Sequence, residues 1–356
     1  MRTFHILLFS LALIPLFCYV GIEKPPSKKT IIKTIGFYNV ENLFDTVDDS
    51  LTIDEDYTPA GKNHFTITQY KKKIHNTARV LLELGGKNNE FGPAIIGLAE
   101  IENYSVVHDL VNDVRLVNSS YQIIHKDSPD RRGIDVALIY RDSEFFPLDF
   151  KFIEVKLWDD SGRRIYTRDI LYVKGVLENE ELHLIVNHWP SRRGGKSRSE
   201  SKRMKTAFLV RQITDDILLR NPEAKILILG DFNDNPSDKS IKKSLLKPIQ
   251  LENQLFYPFF NPMDVMFRKG WNSLAYRDEL FLFDQIILSS IFKKKKNKAF
   301  AGFQFYRAGI FNPDYLITPN GPYKGYPMRS FQNNHFADGY SDHYPVYVKL
   351  IKSVKE

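Results

Sequence analysis

The chain reads as an α/β protein of layered, mixed β-sheets with helices outside. Apolar, β-rich runs interleave with helical patterns from about residue 30 onward, which implies sheets flanked by helices. Several strand patterns also follow one another with no helix between them, which implies hairpins that a purely parallel wound sheet would lack. With 356 residues and 43% hydrophobic content, the chain carries enough apolar side chain for a large core.

The first 21 residues, "MRTFHILLFSLALIPLFCYVG", start with Arg2 and continue as an apolar run, the layout of an export signal. Pro15 interrupts the run, which barely reaches membrane-spanning length, so cleavage after export is the expectation. No small-residue cleavage site stands out, and a retained membrane anchor is the alternative. The single cysteine, Cys18, lies here behind the bulky Phe17, which argues against lipid attachment. A mature chain would then have neither a disulfide nor a thiolate metal site. "IEKPPSKK", residues 22–29, reads as a polar tether, and one folded domain is expected over residues 30–356.

"TIIKTIGFYNV" predicts a strand, and "QYKKKIHNTARVLLEL" a helix with Ile74, Ala78, Leu81 and Leu82 on one face. "AIIGLAE" is a buried strand, followed by a helix over Val106 to Val114. "YQIIH", "DVALIY", "FIEVKLW", "DILYVKGVL" and "LHLIVNHW" are strands separated by charged or glycine-containing turns. A long helix with Ala207, Val210, Thr214 and Ile217 on one face leads into the "ILILGD" strand, and "FDQIILS" and "PVYVKLI" close the set. The Lys293 to Lys296 run reads as a solvated loop. A formal charge of +7 suits a polyanionic partner without requiring one.

Polar residues recur where these strands end. Asn39 and Glu41 follow "TIGFY", Glu100 follows "IIGLA", and Asn187 and His188 follow "HLIV". Asp231 and Asn233 follow "ILILG", while Asp342 and His343 precede "YPVYV". One such ending is turn chemistry; five suggest strand termini converging on a polar site. Glu100 and Asp342, with Asn39 nearby, are hard oxygen ligands suited to Mg²⁺ or Mn²⁺. His188 and His343 can carry protons near neutral pH, and metal with acid/base groups is a hydrolase's equipment.

"FYNVENLFD", "GLAEIEN", "RRGIDVALIYR", "NHWPSRRGG", "ILGDFND", "FDQIILS" and "GYSDHYPV", in this order, resemble the endonuclease/exonuclease/phosphatase superfamily, which includes deoxyribonuclease I. The resemblance runs from about Asn39 to Pro345 and implies the deoxyribonuclease I-like fold, a four-layered α/β sandwich of two mixed sheets packed face to face. It also implies a metal-dependent phosphodiester hydrolase in which Asp231 orients or deprotonates the attacking water and Asn233 holds a phosphate oxygen. By the same resemblance Asn39, Glu100 and Asp342 lie on the metal side, with Mg²⁺ or Mn²⁺ as the ion and Ca²⁺ a candidate structural ion. His343 would meet the phosphate, its ring fixed by Asp284; His188 matches a second histidine, for which Asp135 is the candidate carboxylate partner. Arg168 matches an arginine that meets the phosphate backbone, the alternative being an ion pair with Asp169. Arg192 and Arg193 begin a basic, glycine-containing loop, "SRRGGKSRSESKR", suited to a phosphate chain.

Nucleic acid is the expected substrate, hydrolysed by an exported monomer with no protein partner implied, and membrane contact is expected only if the N-terminal segment is retained. The arginine and Trp-Cys-Asp-Arg elements of the inositol phosphatase branch are missing at "GDFNDNPSD" and "LFDQIIL". A sphingomyelinase-like enzyme is the alternative, for which "YPFFNP" would be an exposed aromatic hairpin rather than core. A catalytically silent nucleic-acid binder is a further alternative, disfavoured because the metal Glu and both His are present.

Overall fold

The computed structural model describes residues 29–86, 90–251, 254–293 and 302–354. The signal or anchor segment with Cys18, the tether up to residue 28, and Lys294 to Lys296 lie outside the described residues. In chain order the strands of the two large sheets are β1 (Lys29–Leu43), β2 (Ile95–Ile101), β3 (Tyr121–His125), β4 (Asp135–Arg141), β5 (Phe145–Ile153) and β6 (Ile170–Leu177). They continue as β7 (Glu180–His188), β8 (Ile226–Asp231), β9 (Phe259–Phe260), β10 (Asp284–Ser289), β11 (Gln304–Ile310) and β12 (Val346–Val354).

They form two six-stranded sheets, in the orders β11-β12-β1-β2-β4-β3 and β9-β10-β8-β7-β6-β5. Each is mixed: β1 runs parallel to β2 and β7 parallel to β8, and the other pairs are antiparallel. The β6–β7 hairpin closes through Glu178 and Asn179, both with positive φ, as a two-residue turn between right-twisted strands requires.

Side-chain alternation sorts the strands into four layers. Phe37, Ala99 and Leu138 of the first sheet pack with Leu184, Leu229 and Ile286 of the second in the core between the sheets. At Gly97 the sheets approach so closely that an added Cβ would lie 2.7 Å from Leu229 Cδ1. The opposite face of the first sheet, with Tyr38, Ile96 and Leu98, is covered by α1 (Ile67–Glu83) and α2 (Tyr104–Val111). Ile185, Ile228 and Ile287 on the far face of the second sheet pack against α3 (Lys196–Arg220). The predicted face of α3, Ala207, Val210, Thr214 and Ile217, is buried throughout.

Helix α1 opens with a capping box between Thr66 and Gln69. Helix α2 starts two residues earlier than the apolar spacing predicts, because the Asn103 side chain accepts the Val106 N–H at 3.0 Å and caps the first turn. "YPFFNP" is an edge of the second sheet: Phe259 is buried beside Ser289, and Phe260 packs edge-on against Phe305.

Candidate active site

Strand alternation builds the site. In β7 the core residues Leu184 and Val186 share a face with His188; in β8 Leu227 and Leu229 share one with Asp231; in β10 Leu288 and Ile286 share one with Asp284. Asp231 is the register partner of both His188 and Asp284, so these three side chains stand abreast at the end of the inter-sheet core. From the first sheet Asn39 continues the Ile35, Phe37 face in the same way.

Glu100 breaks this rule. Alternation would send it to the helix-covered face with Ile96 and Leu98, but its φ of 64° and a register shift between β2 and β4 turn it into the site. Its carboxylate accepts the Asn42 N–H at 2.9 Å and lies 3.9 Å from His188 Nε2. Asn39 Nδ2 donates to Glu100 at 3.3 Å and to Asp231 at 3.2 Å, while its oxygen accepts the Glu41 N–H. Asn39 thus orients two carboxylates, and its oxygen, which accepts one N–H, keeps a second lone pair.

His343 Nδ1 meets Asp284 Oδ2 at 2.7 Å, the predicted pair. Burial opposes the imidazolium, but Asp284, then Asp231 and Asp342, hold the His343 pKa well above the usual histidine value. His188 goes the other way. Burial, with help from Arg168 and Arg132, pushes its pKa well below the usual value, so it stands as neutral imidazole 3.5 Å from Asp231. Burial, with Asp284 and Glu100 beside it, pushes Asp231 up to about 6 against the opposing pull of His343.

The predicted Asp135–His188 pair does not form. Asp135 sits on the first sheet beside β3, where His125 Nε2 lies 3.3 Å away and the Ser128 N–H and hydroxyl donate to it. His188 stands on the second sheet with its buried Nδ1 unpartnered among the described residues. The atoms of His125, Asp127 and Asp135 cluster instead with one another.

Two of the expected substrate arginines are also recast. The Arg168 side chain is 3% exposed, paired with Asp130 at 2.9 Å rather than with Asp169, and it donates to the Trp189 carbonyl just past His188. It supports the site from behind and presents no free face to a phosphate. Arg192 grips the β8 turn, donating to the Asn233 carbonyl (2.9 Å), Asp234 (3.1 Å) and Asp238 (2.7 Å), with its guanidinium over Phe283. Arg193 remains exposed.

That turn is held from every side. Asp231 accepts the Asn233 N–H at 2.9 Å, Asn233 takes a φ of 50° and its Nδ2 donates to Trp189 at 3.0 Å. Asp234 does no chemistry here: buried Arg203, Arg192 and Ser240 converge on its carboxylate. Arg329 is a site residue that strand-end reading missed, since it lies in a loop with no flanking strand pattern. It is bound to buried Glu41 at 2.8 Å and to Asp342 at 3.4 Å, which itself is partly exposed.

The donor set fits a hard divalent cation. Glu41 is neutralised by Arg329 and Asp284 by His343, which also lies near Asp231, whereas Glu100 faces only neutral Asn39 and His188 at contact distance. Uncompensated buried carboxylates are costly, and oxygen ligands with phosphate nearby are what Mg²⁺ and Mn²⁺ take. Glu100 is a carboxylate that could hold such an ion, and Asp231, Asp284 and His343 each place a donor atom within 4.8 Å of the others.

This sandwich, with polar strand ends gathered at one edge, defines a phosphoesterase-like site. The model of the Endonuclease/Exonuclease/phosphatase family matches residues 34–352, and the chain belongs to that family, whose members are hydrolases of phosphoester bonds that use divalent metals. No curated protein matches it in sequence. Among solved structures, a Bacteroides thetaiotaomicron endonuclease/exonuclease/phosphatase family protein is 14% identical, with 92% of this chain and 100% of that one covered and a TM-score of 0.54. TDP2 of D. rerio, complexed with single strand DNA product, is 15% identical over 90% of this chain and 98% of that one, with a TM-score of 0.52. The human Nocturnin catalytic domain is 12% identical over 93% and 100%, with a TM-score of 0.51. These likenesses are of fold.

Proposed function

We propose that the protein is an exported, metal-dependent phosphodiesterase that hydrolyses nucleic acid by in-line attack of water. One observation carries the reading: His188, Asp231 and Asp284 stand abreast in strand register, with His343 bonded to Asp284 and Glu100 turned in beside Asp231. Mg²⁺ or Mn²⁺ at Glu100 and Asp342, when bound, would supply charge neutralisation at the phosphate. Asp231, its carboxyl lifted toward neutrality, orients the water and takes its proton. His343, kept protonated by Asp284, donates to a phosphoryl oxygen that gains charge, while the P–O ester bond opposite the attacking water breaks and its oxygen leaves to take a proton from solvent. Neutral His188 and Asn233 complete the cradle of polar contacts, and Arg329 adds a cation at its rim.

Export is read from the N-terminal segment, and the alternative retains that segment as an anchor. Phe259 is buried whereas Phe256 and Tyr257 before it are exposed, and a sphingomyelinase-like enzyme is the alternative that the following test separates. The test is hydrolysis by the purified protein of DNA, RNA, sphingomyelin and sugar or inositol phosphates side by side, with Mg²⁺, Mn²⁺ or excess chelator. Metal-dependent cleavage of nucleic acid is expected; cleavage confined to lipid or to monoesters would replace this reading.

A further inference from the structure

Beside the site lies a cleft of about 890 Å³, within the size range of small-ligand pockets of roughly 300–1,000 Å³. One wall is a hairpin, Leu274–Tyr276 paired with Glu279–Phe281. Its turn residues Arg277 and Asp278 have φ of 51° and 62°, the paired left-handed geometry of a tight two-residue turn. The other wall is the proline-rich loop carrying Tyr323 and Tyr326. The walls are latched: the Tyr326 hydroxyl donates to Asp278 Oδ1 at 2.6 Å and accepts the Asp278 N–H at 2.7 Å. Asp342 and Arg329 also line the cleft, so it adjoins the site along that rim.

The lining chemistry selects its occupant. Tyr276 and Tyr323 are 60% and 48% exposed; the Arg277 guanidinium lies 5.3 Å from the Tyr276 ring centre and Tyr323 is tilted against Tyr326 at 5.7 Å, and both rings offer their remaining surface to the cleft. The cations are mostly spoken for: Arg192 and Lys196 pair with Asp238, and Arg329 with Glu41. Among the described residues Arg277 has no ion-pair partner, and Asp278, Glu279 and Asp342 offset the remaining charge. Such a lining suits one flat aromatic group with at most one further phosphate, and not a long polyanion. A nucleotide carries such a group, its base, one sugar away from the phosphate.

We propose that this cleft is a nucleobase pocket: Tyr276 and Tyr323 stack one unpaired base beside the scissile phosphate, so the enzyme selects single-stranded or frayed nucleic acid over duplex. A base within a duplex has both faces covered by its neighbours and cannot enter without being extruded. The inference rests on the phosphodiesterase reading above and names its substrate form.

The full chain, with Tyr276→Ala, Tyr323→Ala and the corresponding Phe variants, is compared on a short single-stranded oligonucleotide and its duplex. A third strand carries one abasic residue next to the cleaved bond. Binding is read by fluorescence anisotropy in chelator and cleavage in Mg²⁺, with the Tm of each variant as the folding control. Each Ala change should weaken single-strand binding by about tenfold or more, since a stacked base contributes on that scale, and Phe should retain it. The abasic strand should lose as much, with no further loss from the Ala variants, because ring and base act as a pair. Duplex cleaved as well as single strand, by variants as well as by wild type, would overturn the pocket while leaving the phosphodiesterase intact. Tyrosine-dependent binding without hydrolysis would keep the pocket and sink the phosphodiesterase. Displacement of the strand by a sugar phosphate at these tyrosines would reassign the cleft to sugars.

Discussion

Asp284 Oδ2 lies 2.7 Å from His343 Nδ1, and Asp284 is in turn the register partner of Asp231. The histidine that meets the phosphate and the carboxylate that meets the water are therefore coupled through one strand pair. Asp284→Asn should remove the largest of the interactions that oppose burial, so the His343 pKa should fall. The alkaline limb of kcat/KM should move to lower pH and the maximum fall by about 10². The sign for stability is set by the same shift. With a folded pKa above the unfolded value of about 6.5, the pair's contribution is full below that value and disappears as pH rises through the folded pKa. Urea unfolding across the same pH series should show this loss in the wild type and not in the variant.

Glu100 has only neutral side chains at contact distance, so its removal tests whether metal binding and catalysis depend on the same carboxylate. Mg²⁺ at about a hundredfold above its dissociation constant should stabilise the wild type by about 2.7 kcal/mol, visible as a rise in Tm of several degrees. Glu100→Gln should lose both that rise and hydrolysis. Calorimetry showing an unchanged Mg²⁺ response in the variant would move the ion elsewhere.

Buried Arg168 and Asp130 support His188 from behind. Asp130→Asn leaves a buried guanidinium without its counter-charge and should cost about 3–5 kcal/mol, whereas replacing both with apolar residues should cost much less. Denaturant midpoints of the single and double variants measure the difference. A surface arginine serving only phosphate would show no such asymmetry.

The basic loop divides into two kinds of arginine. Arg193 and Arg198 are exposed, so neutralising them should leave folding and small-substrate turnover unchanged. On single-stranded nucleic acid it should lower the salt dependence of binding by about 0.7 for each phosphate that the loop no longer neutralises. Arg192→Ala frees the turn that carries Asp231 and Asn233 and should lower kcat on every substrate, by up to about 10² if the turn shifts by an ångström. Titrations of binding against salt, with kcat on a small diester, distinguish the two.

Much of the fold and of the site was legible along the chain because it depends on local periodicity. Residues 184, 186 and 188, and 227, 229 and 231, share a face by strand alternation, so apolar runs ending in His188 and Asp231 already announced side chains at the end of a sheet core. The Asp284–His343 pair, implied by the family resemblance, is formed as expected. The tertiary structure decided the partners. Asp135 meets His125 because both lie on one face of the first sheet, and His188 belongs to the second. Arg168 is buried by Asp130, Arg192 is taken up by the β8 turn, and Glu100 reaches the site through a left-handed backbone that alternation does not foresee. The latched cleft joins two stretches about 50 residues apart, as the Tyr326–Asp278 bond shows. A strand's period follows from its own residues, whereas a charge is neutralised by whatever the fold brings within a few ångströms, and that neighbour is set by sheet order and packing far along the chain.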